Sequence, residues 1–413
     1  MIDVEEIRSH FPSLQSGAIY FDNPGGTQVP KSVIDAVDTY YKTANSNTHG
    51  VFATSRLTDE IIAKARIAMA DFLNAESPRE IVFGPNMTTL TFHLSRSLGR
   101  LLRPGDEIIV THMDHDANIA PWLSLAECGA VIKWVDIKPK DCTLKMADFE
   151  KLLSMKTKIV AVGYASNAVG TINDLKKIIE FARAVDALVF IDAVHYAPHG
   201  PIDVVVLDCD FLVCSAYKFF GPHVGILYGK HELLERLYAY KVRPAEDTPP
   251  EKFETGTQNH EGLAGLCAAI DYLAEIGELH SDNFGNLYTS FTGRRASLKK
   301  AMSTIQLYER DLLTHLIEGL QDIKGLKLYG IMDIDRFKWR TPTIALTMHD
   351  RTPREIAGKL SLQNIYVWDG NYYALALMER LGLQDNGGAV RIGLAHYNTI
   401  EEINMFLSVM EQV

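Results

Sequence analysis

Two residues of this 413-residue chain are best equipped for covalent chemistry, and each closes an apolar run. Lys218 follows Phe211-Leu212-Val213-Cys214, which reads as a buried strand, and precedes a turn at Gly221-Pro222. An amine placed where a strand gives out opens on a crevice, and its Ser, Tyr and Phe neighbours are poor company for an ordinary surface lysine. Asp192 closes Ala187-Leu188-Val189-Phe190-Ile191. A carboxylate there carries a desolvation penalty unless a cation meets it. A lysine able to form a Schiff base and an aspartate facing a pyridinium nitrogen are the two protein groups that pyridoxal 5'-phosphate (PLP) needs. Taken singly, a loop lysine and a paired aspartate are the plainer readings; both at strand ends, in this order, narrow the choice.

The elements that must position them follow a βαβ rhythm. Strands are expected at Glu80 to Phe83, Asp106 to Val110, Ala130 to Val135, Lys158 to Gly163, Leu188 to Asp192 and Phe211 to Cys214, with helices starting near Met146 and Asn173. That predicts a mainly parallel sheet with ligands gathered beyond the strands' carboxyl ends. Asn86, His115, Asn167, Asp192 and Lys218 all fall at such ends. Gly84-Pro85-Asn86-Met87-Thr88-Thr89 opens a helix, and its polar residues serve equally as an N-cap or as a phosphate cradle. His112, Asp114, His115 and Asp116 crowd together as metal ligands do, but beyond a strand end with no helical register, which weighs against a metal. A flat imidazole facing an aromatic cofactor is the competing use for His115. Asp22-Asn23-Pro24-Gly25-Gly26 is a turn whose glycines let backbone approach closely, either as a connection or as a substrate contact. Thr48-His49-Gly50 is a polar loop that could reach a pocket mouth.

After the Pro-rich, charged stretch 241–257 comes a long helical region, then strand-like runs at Gly325 to Tyr329, Thr343 to Thr347 and Ile365 to Trp368. These suggest a smaller α+β domain. Within it Arg391 interrupts Val390-Arg391-Ile392-Gly393; such an arginine is paired either with a structural acid or with a substrate carboxylate. The length itself asks for two domains, expected as residues 18–275 for the large one and 1–17 with 276–413 for the small one.

Lys plus Arg number 41 against 52 Asp plus Glu, a formal charge of −11 without any long basic cluster. Nucleic acid and anionic membrane are therefore unexpected partners. Five scattered cysteines without a Cys-x-x-Cys pair fit reduced thiols, and an acidic N-terminus with no run of 18 apolar residues fits a soluble, cytoplasmic protein without a leader.

Several motifs together resemble the cysteine desulfurase and selenocysteine lyase group of PLP enzymes, of the class V aminotransferase fold. They are Tyr20-Phe21-Asp22, Met113 to Trp122, Ala165 to Gly170, Ile191-Asp192-Ala193, Ser215 to Lys218 with Gly221-Pro222, Phe253 to Asn259, and Arg391 with Tyr397-Asn398-Thr399. The likeness spans nearly the whole chain. It implies an α/β, fold-type I PLP-dependent transferase: a large domain on a mainly parallel, seven-stranded sheet plus a smaller C-terminal α+β domain. Lys218 would hold the cofactor as a Schiff base, Asp192 would meet the pyridine nitrogen, and His115 would stack on the ring. The resemblance puts His195, in place of a glutamine, near the phenolic oxygen, with Asn167 beside that oxygen or the substrate. Asn86, Met87 and Ser215 would hold the phosphate, and Tyr217, replacing a histidine, could still donate to it. Thr257 would reach the cofactor of a second subunit, which implies a homodimer. Arg391 would bind the α-carboxylate of a small amino-acid substrate, with Gly26 also at the substrate.

The chain departs from that pattern in Val367-Trp368-Asp369-Gly370-Asn371-Tyr372-Tyr373. Desulfurases carry an arginine where Trp368 stands and a nucleophilic cysteine where Tyr373 falls, and no cysteine follows Cys267. Without that thiolate a protein persulfide has no attacking sulfur. The expected activity is therefore a desulfurase-like C–S lyase working by β-elimination. The alternatives are a class V aminotransferase, an amino-acid epimerase, or a catalytically inert PLP-binding protein. Asp369, with Tyr372 and Tyr373, would crowd the side-chain end of the substrate, where an acid would select a cationic or hydroxylated group.

Overall fold

A computed structural model describes residues 2–281, 284 and 287–413. Among these, seven strands form the central sheet: β1 (Ile81–Gly84), β2 (Glu107–Thr111), β3 (Val131–Val135), β4 (Thr157–Gly163), β5 (Leu188–Asp192), β6 (Phe211–Ser215) and β7 (Gly225–Gly229). Their order is β1-β7-β6-β5-β4-β2-β3. Strands β2 to β6 run parallel, whereas β7 is antiparallel to both β6 and β1.

Side chains alternate between two cores. Val160, Val162, Val189, Ile191 and Leu212 enter one, while Ile159, Ala161, Phe190, Phe211 and Val213 enter the other. A sheet covered on both faces needs unbroken apolar strands, which is why their ends are legible in the sequence. Strand β7 has no counterpart among the expected strands. It begins at Gly225, shortly after the Gly-Pro turn, and a β-carbon there would lie 2.4 Å from the Asn86 carbonyl carbon. Glycine is required because the start of the helix Met87–Gly99 rests on this strand.

From β2 the chain moves outward to β3; from β4 it moves the other way, to β5 and β6. The reversal opens a crevice at the carboxyl ends of β2 and β4, the usual place for a ligand in such sheets. Asp114 spans it. Its carboxylate accepts from Thr111 Oγ1 at 2.9 Å, from Asn118 Nδ2 at 2.9 Å and from the Gly163 N–H at 3.0 Å.

A second sheet, of four antiparallel strands, has the order β8-β9-β11-β10, from β8 (Leu326–Tyr329), β9 (Thr343–Met348), β10 (Trp368–Gly370) and β11 (Ala389–Gly393). The helices Gly293–Gln321, Pro353–Ser361 and Ile400–Met410 contribute Leu316, Ile356 and Phe406 to its core. The single strand expected over Ile365 to Trp368 is two. Ile365–Tyr366 pairs in parallel with Ile19–Tyr20, and only from Trp368 does the chain join the four-stranded sheet. Ile7, Phe11 and Leu14 pack beside the central sheet, while Ile19 and Phe21 enter the core of the four-stranded one.

Candidate active site

A cavity of about 1070 Å³ lies over the carboxyl ends of the central strands and under the four-stranded sheet. Asn86, Met87, His115, Asn167, Asp192, His195, Ser215, Tyr217, Lys218, Asp369, Tyr373 and Arg391 all line it. Gly26 and Thr257 do not. Pro24 and Gly25 form the wall next to Gly26, which itself packs where a β-carbon would meet the Tyr217 ring at 3.3 Å. The glycine whose missing β-carbon matters at the cavity is Gly25, since one there would stand 2.4 Å from Trp368 Nε1. Thr257 is exposed, outside its own chain's cavity, and Thr48-His49-Gly50 also lies away from the wall.

The turn after β6 turns Lys218 inward. Its amine donates to the Pro24 carbonyl and sits 4.8 Å from the centroid of the Tyr217 ring. Burial, with the Arg391 charge nearby, lowers this amine from 10.5 to about 7, so near neutrality much of it is unprotonated. Tyr217 is itself held by stacking on His223, centroids 4.8 Å apart. At the end of β5, Asp192 accepts from the Val194 N–H at 2.9 Å, and burial raises its carboxyl to about 6.

The helix Met87–Gly99 points its N-terminus into the cavity. Asn86 caps it, accepting from the Thr89 N–H at 2.8 Å, and Ser215 Oγ accepts from the Met87 N–H at 3.2 Å. The cap is thus formed, and the same helix start faces the cavity, where a phosphate cradle would have to stand. Thr88, one residue further, also lines the cavity; it belongs to the same motif, and nothing in the sequence sets it apart from Thr89.

His115 accepts from the Ala117 N–H through Nδ1 at 3.0 Å, which puts the proton of the neutral ring on Nε2. Burial drops it to about 4, and its ring stacks on Tyr373 with centroids 5.5 Å apart. His112 instead turns its Nδ1 to the Val135 carbonyl, and among the described residues no three metal-ligating side chains converge. His195 meets Thr341 Oγ1 through Nε2 at 3.1 Å and is kept neutral by burial.

Across the cavity stands Arg391, on β11. No carboxylate lies within ion-pair distance of it among the described residues. Its Nη1 donates to the Asn167 carbonyl at 3.1 Å, and burial lowers it to about 10. Of the two pairings expected for this arginine, a structural acid in direct contact is not there among the described residues, and Asp22 acts on it only from a distance. Asp369 differs: Arg354 donates to its carboxylate at 2.9 Å, so its charge is already met.

These features fit PLP. The wall offers a helix N-terminus for a phosphate, a buried acid and a partly neutral lysine. It also holds two buried polar atoms without a protein partner, Asn167 Oδ1 and Arg391 Nε. A wall with two such orphans is built around something polar.

The family model described as Aminotransferase class-V matches residues 19–292 and 291–406. The chain belongs to this family, and it is a PLP-dependent enzyme with cysteine desulfurases among its relatives. It is 33% identical over 432 residues to a cysteine desulfurase of Synechococcus elongatus, matching 100% of this chain but 64% of that protein's length. It is also 33% identical over 436 residues to a probable cysteine desulfurase of Halalkalibacterium halodurans, covering 100% of this chain and 98% of the relative. The apo structure of a cysteine desulfurase from Thermococcus onnurineus superposes with a TM-score of 0.88 at 29% identity, covering 100% of this chain and 98% of that one. The resemblance carried by the motifs, the fold class and the cofactor all hold.

Proposed function

We propose that this enzyme is an amino-acid C–S lyase, acting by β-elimination on a cysteine-like substrate without forming a protein persulfide. One observation carries the reading. None of the five cysteines lines the cavity: Cys142, Cys209 and Cys214 are buried elsewhere, Cys267 is half-buried and Cys128 lies on the surface. The loop that would present a nucleophilic sulfur presents Tyr372 and Tyr373.

When bound, PLP supplies an electron sink for the pair released as a bond to Cα breaks. Lys218 is the residue to hold it, and in its neutral form the amine takes the proton from Cα. Asp192 would hold a proton on the ring nitrogen. Ser215, Met87, Asn86 and Tyr217 would hold the phosphate, and His195 and Asn167 would serve the phenolic oxygen. Arg391 fixes the α-carboxylate by a two-point contact. Loss of the Cα proton to Lys218 lets the thiolate depart from Cβ, and that thiolate is protonated as it leaves. The unsaturated amine left behind is hydrolysed to pyruvate and ammonia. The proton that Lys218 takes from Cα is the one it can return to the departing sulfur, while His115, neutral with its proton on Nε2, offers a hydrogen bond and no acidic proton. Thr257, exposed on its own chain, is assigned to the cofactor of the second subunit of a homodimer.

The test is a panel of amino acids offered to the holoenzyme, with pyruvate, thiol or sulfide, alanine, pyridoxamine phosphate and the D-enantiomer assayed as products. Stoichiometric pyruvate and thiol support the lyase. Alanine with protein-bound sulfur, or pyridoxamine phosphate, or racemisation would each replace it, and no spectral response to any member would leave a binding protein.

A further inference from the structure

We infer that Tyr372 is a positioning residue for the substrate carboxylate: it holds the Arg391 guanidinium in place through both its ring and its backbone. This rests on the reading that Arg391 takes the α-carboxylate. The guanidinium carbon lies 4.4 Å from the centroid of the Tyr372 ring. A cation over an aromatic face is attracted by the ring quadrupole and confined to that plane. The same residue acts a second time through its carbonyl. Asn167 Nδ2 donates to the Tyr372 carbonyl at 2.9 Å, and the Asn167 carbonyl in turn accepts from Arg391 Nη1 at 3.1 Å. Ring, amide and guanidinium close a three-residue circuit that leaves Nε, buried and unpartnered, free for a ligand.

The loop is distorted to make this circuit. Tyr372 and Tyr373 are consecutive non-glycine residues in the left-handed region, with φ of 55° and 57°. Such backbone is disfavoured by any β-carbon and persists only where the surroundings hold it. The surroundings do so at several points. The Tyr372 hydroxyl donates to the Ala389 carbonyl, Asn371 Oδ1 accepts from the Tyr373 N–H at 3.1 Å, and the Tyr373 carbonyl accepts from the Asp116 N–H at 2.7 Å. Asn371 also reaches Gln384 Oε1 at 3.2 Å. A loop fixed at both faces of the cavity is a wall, and its half-buried Tyr372 is the platform under the arginine.

Positioning predicts an effect on carboxylate recognition alone. The probes are L-serine and ethanolamine, which differ only by the carboxylate, titrated against the holoenzyme by the change in its cofactor absorbance. With Tyr372→Leu, the apparent Kd for L-serine should rise about tenfold while that for ethanolamine stays within about twofold. Tyr372→Phe keeps the ring and the carbonyl and should retain most of the discrimination. Arg391→Gln should raise the Kd for L-serine about a hundredfold and abolish the discrimination. If Arg391→Gln leaves it intact, the carboxylate reading fails. If Arg391→Gln abolishes it but Tyr372→Leu does not, or if Tyr372→Phe loses as much as Tyr372→Leu, the positioning role is overturned.

Discussion

Substituting Lys218 by methionine removes a buried amine whose protonation the fold resists, and the size of that resistance can be worked out. The amine falls from 10.5 to about 7 on folding, chiefly because burial disfavours the charged form. Since the folded value is depressed, the unfolded chain binds the extra proton between these two values, and stability gained from this residue rises with pH across that window. At pH 7 the cost relative to a pH above 10.5 is about 4 kcal/mol, and at roughly pH 9 it is about 2 kcal/mol, at 1.36 kcal/mol per unit. The difference in unfolding free energy between wild-type and Lys218→Met apoenzyme should therefore shrink by about 2 kcal/mol between those two conditions. Packing changes introduced by methionine are independent of pH and cancel in that comparison. Urea unfolding of the cofactor-free protein measures it, and pulse acylation of Lys218 followed by mass spectrometry should independently give a midpoint near 7. A stability gap that does not move with pH, together with an acylation midpoint near that of a free lysine, would refute the claim that the cavity keeps this amine partly neutral.

Three further outcomes follow from the same geometry. Asp192→Asn should still take up PLP, since the phosphate is held elsewhere, but lose about two orders of magnitude in turnover, seen in kcat with cofactor affinity followed by fluorescence. Arg354→Gln should release the Asp369 carboxylate from its 2.9 Å contact and raise kcat/KM for amino acids with cationic side chains relative to neutral ones; an unchanged ratio removes Asp369 from substrate selection. Thr257→Ala should weaken PLP retention in the dimer, and a heterodimer carrying Lys218→Met on one subunit and Thr257→Ala on the other should have one impaired site in which both lesions meet; size-exclusion chromatography and cofactor titration check both points.

Much of the site is legible in the amino-acid order because a sheet buried on both faces needs continuous apolar strands, and polar residues that end them are conspicuous. Asp192 after Ile191, Lys218 after the run ending at Cys214, and His115 after β2 stand out in this way, and all three line one cavity. The helix start at Asn86 is equally plain, since cap residues announce themselves. Strand β7 is hidden because a strand opened and closed by glycine, Gly225 and Gly229, imitates a turn; only its contact with Asn86 explains the first of them.

What the sequence by itself determined was therefore the chemistry and its stage: a lysine, an acid and an imidazole on one edge of a parallel sheet, and a loop without its sulfur. The tertiary structure alone decided which of Gly25 and Gly26 faces the cavity, that Arg354 meets the charge of Asp369, and that Arg391 has no protein carboxylate beside it among the described residues. It alone set Tyr372 under that guanidinium. Local periodicity reports which way a side chain faces within its own element. Asn167 and Tyr372 meet across 205 residues and Asn167 and Arg391 across 224, so their contact is fixed only when the two sheets close over one crevice.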